Sequence, residues 1–234
     1  MAKLYLVPNV LSEGNWQYVL PASINSVISK TKYFIVENVR TTRRFMKMVN
    51  REINIDECTF FELNKHTPAT EIPSFLKPLE NGNSMALISE AGCPGVADPG
   101  AEVVRIAHSR EINVVPLTGP SSIILALMAS GLNGQQFAFN GYLPVKPAER
   151  AKAILALEKK ALANNQTQLF IETPYRNNQL MEDIVKVCSK NTLFCIAANL
   201  TGENEYINTK TIRQWKNNLP SLHKIPAIFL IGKQ

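Results

Sequence analysis

The chain has 234 residues, 45% of them hydrophobic and 19% charged, with a net charge of +6 and a pI near 9.1. That length allows one large domain or two small ones, and the apolar share is ordinary for a globular protein with a real core. The longest apolar runs, such as 123–129, fall far short of the roughly 20 residues a membrane span needs, so no membrane association is expected. Residues 1–8 are too soon interrupted by Pro8 for a signal peptide and read as a first strand. The four cysteines, Cys58, Cys93, Cys188 and Cys195, are dispersed and form no Cys-x-x-Cys pair. Buried or incidental thiols and a cytoplasmic protein are expected, without zinc or disulfides. The positive charge suits a nucleic-acid partner and equally a generally basic surface.

In chain order, a strand over 3–7 leads into a loop over 8–15, then a short helix over 22–29 and a strand over 33–36. That strand ends at Glu37-Asn38-Val39-Arg40-Thr41-Thr42. Glu37 is an acid at a strand's carboxyl end, where it either orients a substrate hydroxyl or serves as a cap or an ion-pair partner of Arg40. A helix over 40–48 carries Arg43, Arg44 and Lys47 on its polar side; these either hold phosphates or form a solvated face. A strand over 59–63 precedes His66, which is a base, a donor to a substrate oxygen, or structural. The pattern predicts a helix over 71–79 entered near Pro73, with Gly82 helping to end that unit, and a strand over 85–89.

That strand feeds Ser89-Glu90-Ala91-Gly92-Cys93-Pro94-Gly95-Val96-Ala97-Asp98-Pro99-Gly100, the stretch around which the chain is organised. Ala91, Gly92, Gly95 and Ala97 let a ligand approach the backbone closely, so the loop either fixes a nucleoside or carboxylate or is a plain strand-to-helix connection. Asp98-Pro99 reads as an N-cap and first helical residue, with Glu102 in the first turn of a helix over 101–107. The loop lacks the ending of a Walker A motif and the glycine spacing of a dinucleotide fingerprint. A strand over 112–116 follows. Residues 118–122 then start an apolar helix over 123–129, whose first N–H groups form a second polar surface. Strands alternating with helices indicate a mostly parallel sheet covered on both faces. The hinge-like 130–134 helps set the boundary between two domains, 1–117 and 118–234. The second half reads as strand 137–140, Lys146 and Arg150, helix to about 163, strand 169–171, helix 177–190, strand 193–200, helix 211–217 and strand 226–231.

Four stretches carry a resemblance. Residues 89–100 are similar to a Ser-Asp-Ala-Gly-Thr-Pro…Asp-Pro-Gly signature, and Val115-Pro116-Leu117-Thr118-Gly119-Pro120-Ser121 to Val-Pro-Leu-Pro-Gly-Pro-Ser. Ser130-Gly131-Leu132, Phe137, Gly141-Tyr142-Leu143-Pro144 and Lys146 resemble Ser-Gly-Leu…Phe…Gly-Phe-Leu-Pro-x-Lys. Glu172-Thr173-Pro174-Tyr175-Arg176 resembles Glu-Ser-Pro-His-Arg. Together they resemble the tetrapyrrole methylase superfamily, in the branch of the small-subunit ribosomal RNA (cytidine-2′-O)-methyltransferases. The chain departs from the branch at its first loop, where Pro-Ile-Gly-Asn is usual. It departs also at Ala198 and Gly202, which flank the matching Leu200-Thr201, and at Cys93, where Thr is usual.

The resemblance implies an α/β fold of two α/β domains with S-adenosylmethionine in a trough between them. It implies cofactor contacts at Ser89, Glu90, Ala91, Gly92, Val96, Ser121, Ser122, Tyr142, Leu200 and Pro226, and a homodimer. The sulfonium already carries the activated methyl, so such a site needs alignment of nucleophile, methyl and sulfur more than catalytic groups. A ribose hydroxyl is a poor nucleophile, and Glu37, Glu90 and His66 are the candidate bases or orienting acceptors. Arg40, Arg43, Lys146 and Arg150 are the candidate substrate contacts. The expected activity is 2′-O-methylation of ribosomal RNA. A methyltransferase acting on a tetrapyrrole or other small molecule and a non-catalytic RNA-binding protein keeping the fold are the alternatives.

Overall fold

The computed structural model describes residues 2–14 and 16–233. The chain divides into two compact units, Met1–Ser121 and Ser122–Gln234. The first contains β1 (Lys3–Val7), α1 (Ser23–Lys30), β2 (Tyr33–Val36), α2 (Val39–Val49), β3 (Thr59–Glu62), α3 (Ile72–Phe75), α4 (Lys77–Glu80), β4 (Met85–Ile88), α5 (Gly100–Ser109) and β5 (Asn113–Pro116). Its strands lie in the order β3-β2-β4-β1-β5, and every pairing is parallel. Side chains alternate across a strand, so each apolar run feeds two cores. Leu4, Ile35, Met85 and Leu87 face Ile72, Phe75, Leu79 and Val103. Val7, Phe34, Val36, Ala86 and Ile88 face Ile24, Ile28, Phe45 and Met46 on the other side.

The single helix expected over 71–79 is instead the two short turns α3 and α4, each with a proline in its first two positions. Pro78 has no N–H to give to the carbonyl four residues back, and its ring disfavours helical geometry in the residue before it. Gly82, at φ +82°, closes α4 by donating to Leu79 O at 3.0 Å, while Asn83 donates to Pro78 O at 2.9 Å. That is the left-handed glycine ending expected of a helix C-terminus.

The second unit contains α6 (Ser122–Ser130), β6 (Phe137–Tyr142), α7 (Pro147–Asn164), β7 (Thr167–Ile171), α8 (Asn177–Val187), β8 (Leu193–Ala198), β9 (Tyr206–Thr211), α9 (Ile212–Trp215) and β10 (Ala227–Gly232). Its sheet has the order β6-β7-β10-β8-β9, and only β6–β7 is parallel. The core stacks Phe170, Phe229 and Phe194 in sequence, with Trp215 edge-on to Phe194 and its indole N–H on Phe194 O at 2.7 Å. Strand β9 was not expected from the sequence. Tyr-Ile-Asn-Thr-Lys-Thr is a half-buried edge strand, and a polar edge carries no apolar alternation to read. No helix among the described residues is long and apolar enough to cross a membrane.

Candidate active site

In a parallel sheet all carboxyl ends lie along one edge, so the loops after the neighbouring strands β2, β4, β1 and β5 are gathered there. The loop after β4 is bound to the loop after β1 through Asn9. Asn9 N–H donates to Gly92 O at 2.9 Å, and Gly92 N–H returns a bond to Asn9 O at 3.1 Å. The Asn9 amide donates to both Ser89 O and Glu90 O at 3.1 Å, and the Ser89 hydroxyl donates to Gly92 O at 2.8 Å. The loop after β5 meets the other two. Gly119 lies so close to Pro8 that a Cβ there would sit 2.2 Å from the ring, and the Cys93 thiol lies 3.4 Å from Pro120 O. Burial pushes the Cys93 thiol pKa up, which disfavours its thiolate form.

The rest of the loop is fixed by its own turns. Pro94 and Gly95 occupy the centre of a turn closed by Val96 N–H on Cys93 O at 3.3 Å; Gly95 has φ +80°, as a type II turn requires. Asp98 accepts from Gly95 N–H at 2.7 Å and Gly100 N–H at 2.8 Å, tying the turn to the start of α5. Pro99 already has helical angles, so Asp98 caps the helix from one residue outside the assigned N-cap. Besides Glu90, the exposed residues of the loop are small. Ala91, Val96 and Ala97 are exposed, and the N–H groups of Ala91 and Ala97 have no partner among the described residues. A backbone held this firmly offers donors to a polar ligand without a cost of ordering. Gly92 is buried at φ +71°, and a Cβ there would meet Leu11 at 3.2 Å, so the loop's shape at this position requires glycine.

Two of the candidate catalytic residues are brought together. Glu37, just past β2, accepts from Glu90 N–H at 3.2 Å, and the Glu90 carboxylate accepts from the Thr41 hydroxyl in the first turn of α2. Asn38, not Glu37, caps α2, accepting from Arg40 N–H and Thr41 N–H. Partial burial raises the Glu37 pKa; the Glu90 N–H bond opposes this, and the charges of Asp98 and Glu90 add to it. Burial likewise raises Asp98, against the two N–H groups it accepts. A carboxyl so placed is suited to accept a proton or orient a hydroxyl. His66 stands apart. It is exposed in the turn after the edge strand β3, and its N–H is bonded to Asn64. Asn9 and Thr41 were not singled out from the sequence, and a lone Asn or Thr in a loop gives no signal of what it ties.

In the second unit, Tyr142 ends β6, Leu200 follows β8 and Pro226 precedes β10, which places all three at one edge of that sheet. Tyr142 and Pro226 are exposed and Leu200 is buried. Asn199 at φ +50° and Thr201 at φ +66° flank Leu200; a β-branched residue held there is unusual backbone of the kind found at functional sites. Ser121 ends the first unit and Ser122 begins α6. Lys146 is exposed, 3.3 Å from Glu149. Arg150, expected as a substrate contact, is corrected by the structure. It is 1% exposed, its Nε bonds Asp183 at 2.7 Å and its Nη1 bonds Val145 O at 2.9 Å, so it clamps α7 to α8 and reaches no substrate.

An all-parallel sheet with hydrogen-bonded loops gathered at its carboxyl edge marks a ligand-binding α/β protein. The family model for Tetrapyrrole (Corrin/Porphyrin) Methylases matches residues 33–215, and the chain belongs to that family. "Ribosomal RNA small subunit methyltransferase I" of Escherichia coli O157:H7 is 31% identical over 206 residues, covering 88% of this chain and 68% of that protein. The protein of the same name from Vibrio cholerae serotype O1 is 31% identical over 204 residues, covering 87% and 67%. Among solved structures, the methyltransferase CobJ superposes with a TM-score of 0.64 over 99% of this chain and 93% of its own, at 15% identity, a likeness of fold.

Proposed function

We propose that the protein is an S-adenosylmethionine-dependent methyltransferase that methylates a ribose 2′-hydroxyl of small-subunit ribosomal RNA. The observation that carries this reading is the loop over 89–100. It is tied by Asn9 and Asp98 and leaves the small Ala91, Val96 and Ala97 exposed, with the N–H groups of Ala91 and Ala97 open, in a chain whose relatives are named for ribosomal RNA methylation. Such a surface fits a nucleoside with an amino-acid tail, since both present polar groups to backbone and flat or narrow apolar parts to Ala91, Val96 and Ala97. When bound, the cofactor supplies an activated methyl group. The chain's own part is to orient and exclude water. Glu37, with its raised pKa, accepts or aligns the substrate hydroxyl proton, and Glu90 is held beside it by Thr41. Arg40, Arg43 and Lys146 contact the RNA. On the same reading the protein is a cytoplasmic homodimer.

The test is incubation of the purified protein with methyl-labelled S-adenosylmethionine and small ribosomal subunits that lack its modification. Label recovered in an alkali-resistant dinucleotide supports the reading, because a 2′-O-methyl group blocks cleavage of the next phosphodiester bond. Label in a base, or transfer to a tetrapyrrole and none to RNA, contradicts it.

A further inference from the structure

The proposed RNA substrate makes the distribution of arginines on the molecule informative. Four of them are neutralised by carboxylates: Arg105 by Glu102, Arg110 by Glu80, Arg150 by Asp183 and Arg176 by Glu172. Of the five that form no ion pair among the described residues, Arg213 lies in the second unit, and Arg40, Arg43, Arg44 and Arg51 lie on α2 or two residues beyond it. At 3.6 residues per turn, Arg40, Arg43, Arg44 and Lys47 project within an arc of about 100°. All four are exposed, while Thr42, Phe45, Met46 and Val49 fill the opposite face.

The arrangement works against the helix that carries it. Residues three and four apart are neighbours on a helix, so like charges at 40, 43, 44 and 47 repel. The positive N-terminal end of the helix dipole favours acids, yet its first turn holds none and carries Arg40. Two of the side chains are also held in place. The Arg43 guanidinium lies 5.3 Å over the Phe60 ring, and Lys47 Nζ is held by Ile53 O at 2.7 Å and Arg51 O at 3.1 Å. A cationic face that is unpaired, partly ordered and self-repelling is completed by an external row of anions. The stripe begins one residue from Thr41, whose hydroxyl is bonded to Glu90 in the loop. From Arg40 to Lys47 it rises about 10 Å, long enough to meet more than one phosphate of a nucleic-acid backbone.

We infer that α2 is a phosphate track, on which Arg40, Arg43, Arg44 and Lys47 hold the RNA backbone and lead it to the loop over 89–100. The inference rests on the RNA reading above and assigns it a surface. The test is anisotropy of a fluorescein-labelled 20-nucleotide single-stranded RNA, titrated with the full-length protein from 50 to 300 mM KCl. Each lost phosphate contact on a single strand lowers the slope of log K against log salt by roughly 0.7, so R40Q/R43Q/R44Q lowers it by about 2. R105Q, which removes a paired arginine, and R213Q, which removes an exposed one elsewhere, leave the slope unchanged. The triple variant melts at or above the wild-type temperature, since it loses repulsion.

Slopes that are equal in wild type and triple variant overturn the track, as does a wild type that binds anionic lipid vesicles and no RNA. A lower melting temperature with the same RNA affinity also overturns it, by making the arginines structural. Calorimetry with S-adenosylhomocysteine separates the two proposals. Cofactor-product binding without RNA binding ends the track and leaves the methyltransferase reading standing. Stripe-dependent RNA binding without cofactor-product binding supports the track and removes the methyltransferase reading.

Discussion

The two units bury polar groups in different ways. In the first, the buried polar side chains among the described residues are Asn9, Thr31, Thr42 and Ser89, all uncharged. The second buries Arg150, Glu158 and Glu172. The first unit's sheet is wholly parallel, so its strand ends run into loops, which are tied by the buried neutral Asn9 and Ser89 and by the carboxylates Glu37 and Asp98 outside the buried core. The second unit reverses direction repeatedly, and its charges pin helices and turns. Arg150 joins α7 to Asp183 on α8, and Glu158 accepts from Ser189 N–H at 2.7 Å and from the Thr192 hydroxyl. Glu172 holds Arg176 across the turn from β7 into α8 at 2.6 Å. The second unit thus buries charge in its scaffold, whereas the charged side chains among the first unit's described residues, paired as in Arg105–Glu102 or unpaired as in Arg40, stay out of its buried core.

The sharpest way to break this contrast is to remove a buried charge. Arg150→Met leaves Asp183 without its cation and lowers stability by about 3 kcal/mol in urea unfolding, and R150M/D183L recovers at least half of that. No loss in the single variant would show that the pair is not a clamp. Next is Gly119→Ala in the first unit. The new Cβ must displace Pro8, separating the loops after β1 and β5 at a cost of about 2 kcal/mol in the same measurement. Asn9→Ala removes two bonds to loop carbonyls and costs about 1.5 kcal/mol, with hydrogen-exchange protection lost at Gly92 before the sheet.

The smallest effects are on pH dependence, and the two units differ in sign. Burial pushes the Glu172 pKa up, but Arg176 and the Thr173 N–H outweigh it and hold it below the ordinary value of 4.5. Its stabilisation is therefore present above that value and lost as pH falls through the depressed one. Glu37 is raised above 4.5, so its contribution is present below that value and lost as pH rises through the raised one. Urea midpoints from about pH 2.5 to 7 check both. E172Q flattens the acid limb of the stability curve, and E37Q steepens it.

Much of the fold is legible in the residues. Tyr-Phe-Ile-Val and Met-Ala-Leu-Ile are apolar on both faces and fall on β2 and β4 as central parallel strands must. Asp98-Pro99 marks the start of α5 because a carboxylate and a fixed φ are what a helix start needs. Other features are not local. Strand β9 is recruited by pairing with β8, not by its own pattern. Arg150 follows Lys146 at helical spacing and reads as a second exposed cation; only the position of Asp183, 33 residues on, buries it. In the site, the glycines and prolines announce a loop, but the groups that lock it come from Asn9 and Thr41, 80 and 49 residues from their partners.

The central claim is that the loop over 89–100 is a preformed cofactor surface. It is tested most directly by titrating S-adenosylhomocysteine into the wild type and into Ala91→Trp in a calorimeter. Ala91 is exposed, so the indole is tolerated by the fold and obstructs only what lies against the loop. The account predicts binding to the wild type and none to Ala91→Trp, with the same melting temperature for both. A folded wild type that does not bind, or an Ala91→Trp variant that binds as tightly, would contradict it.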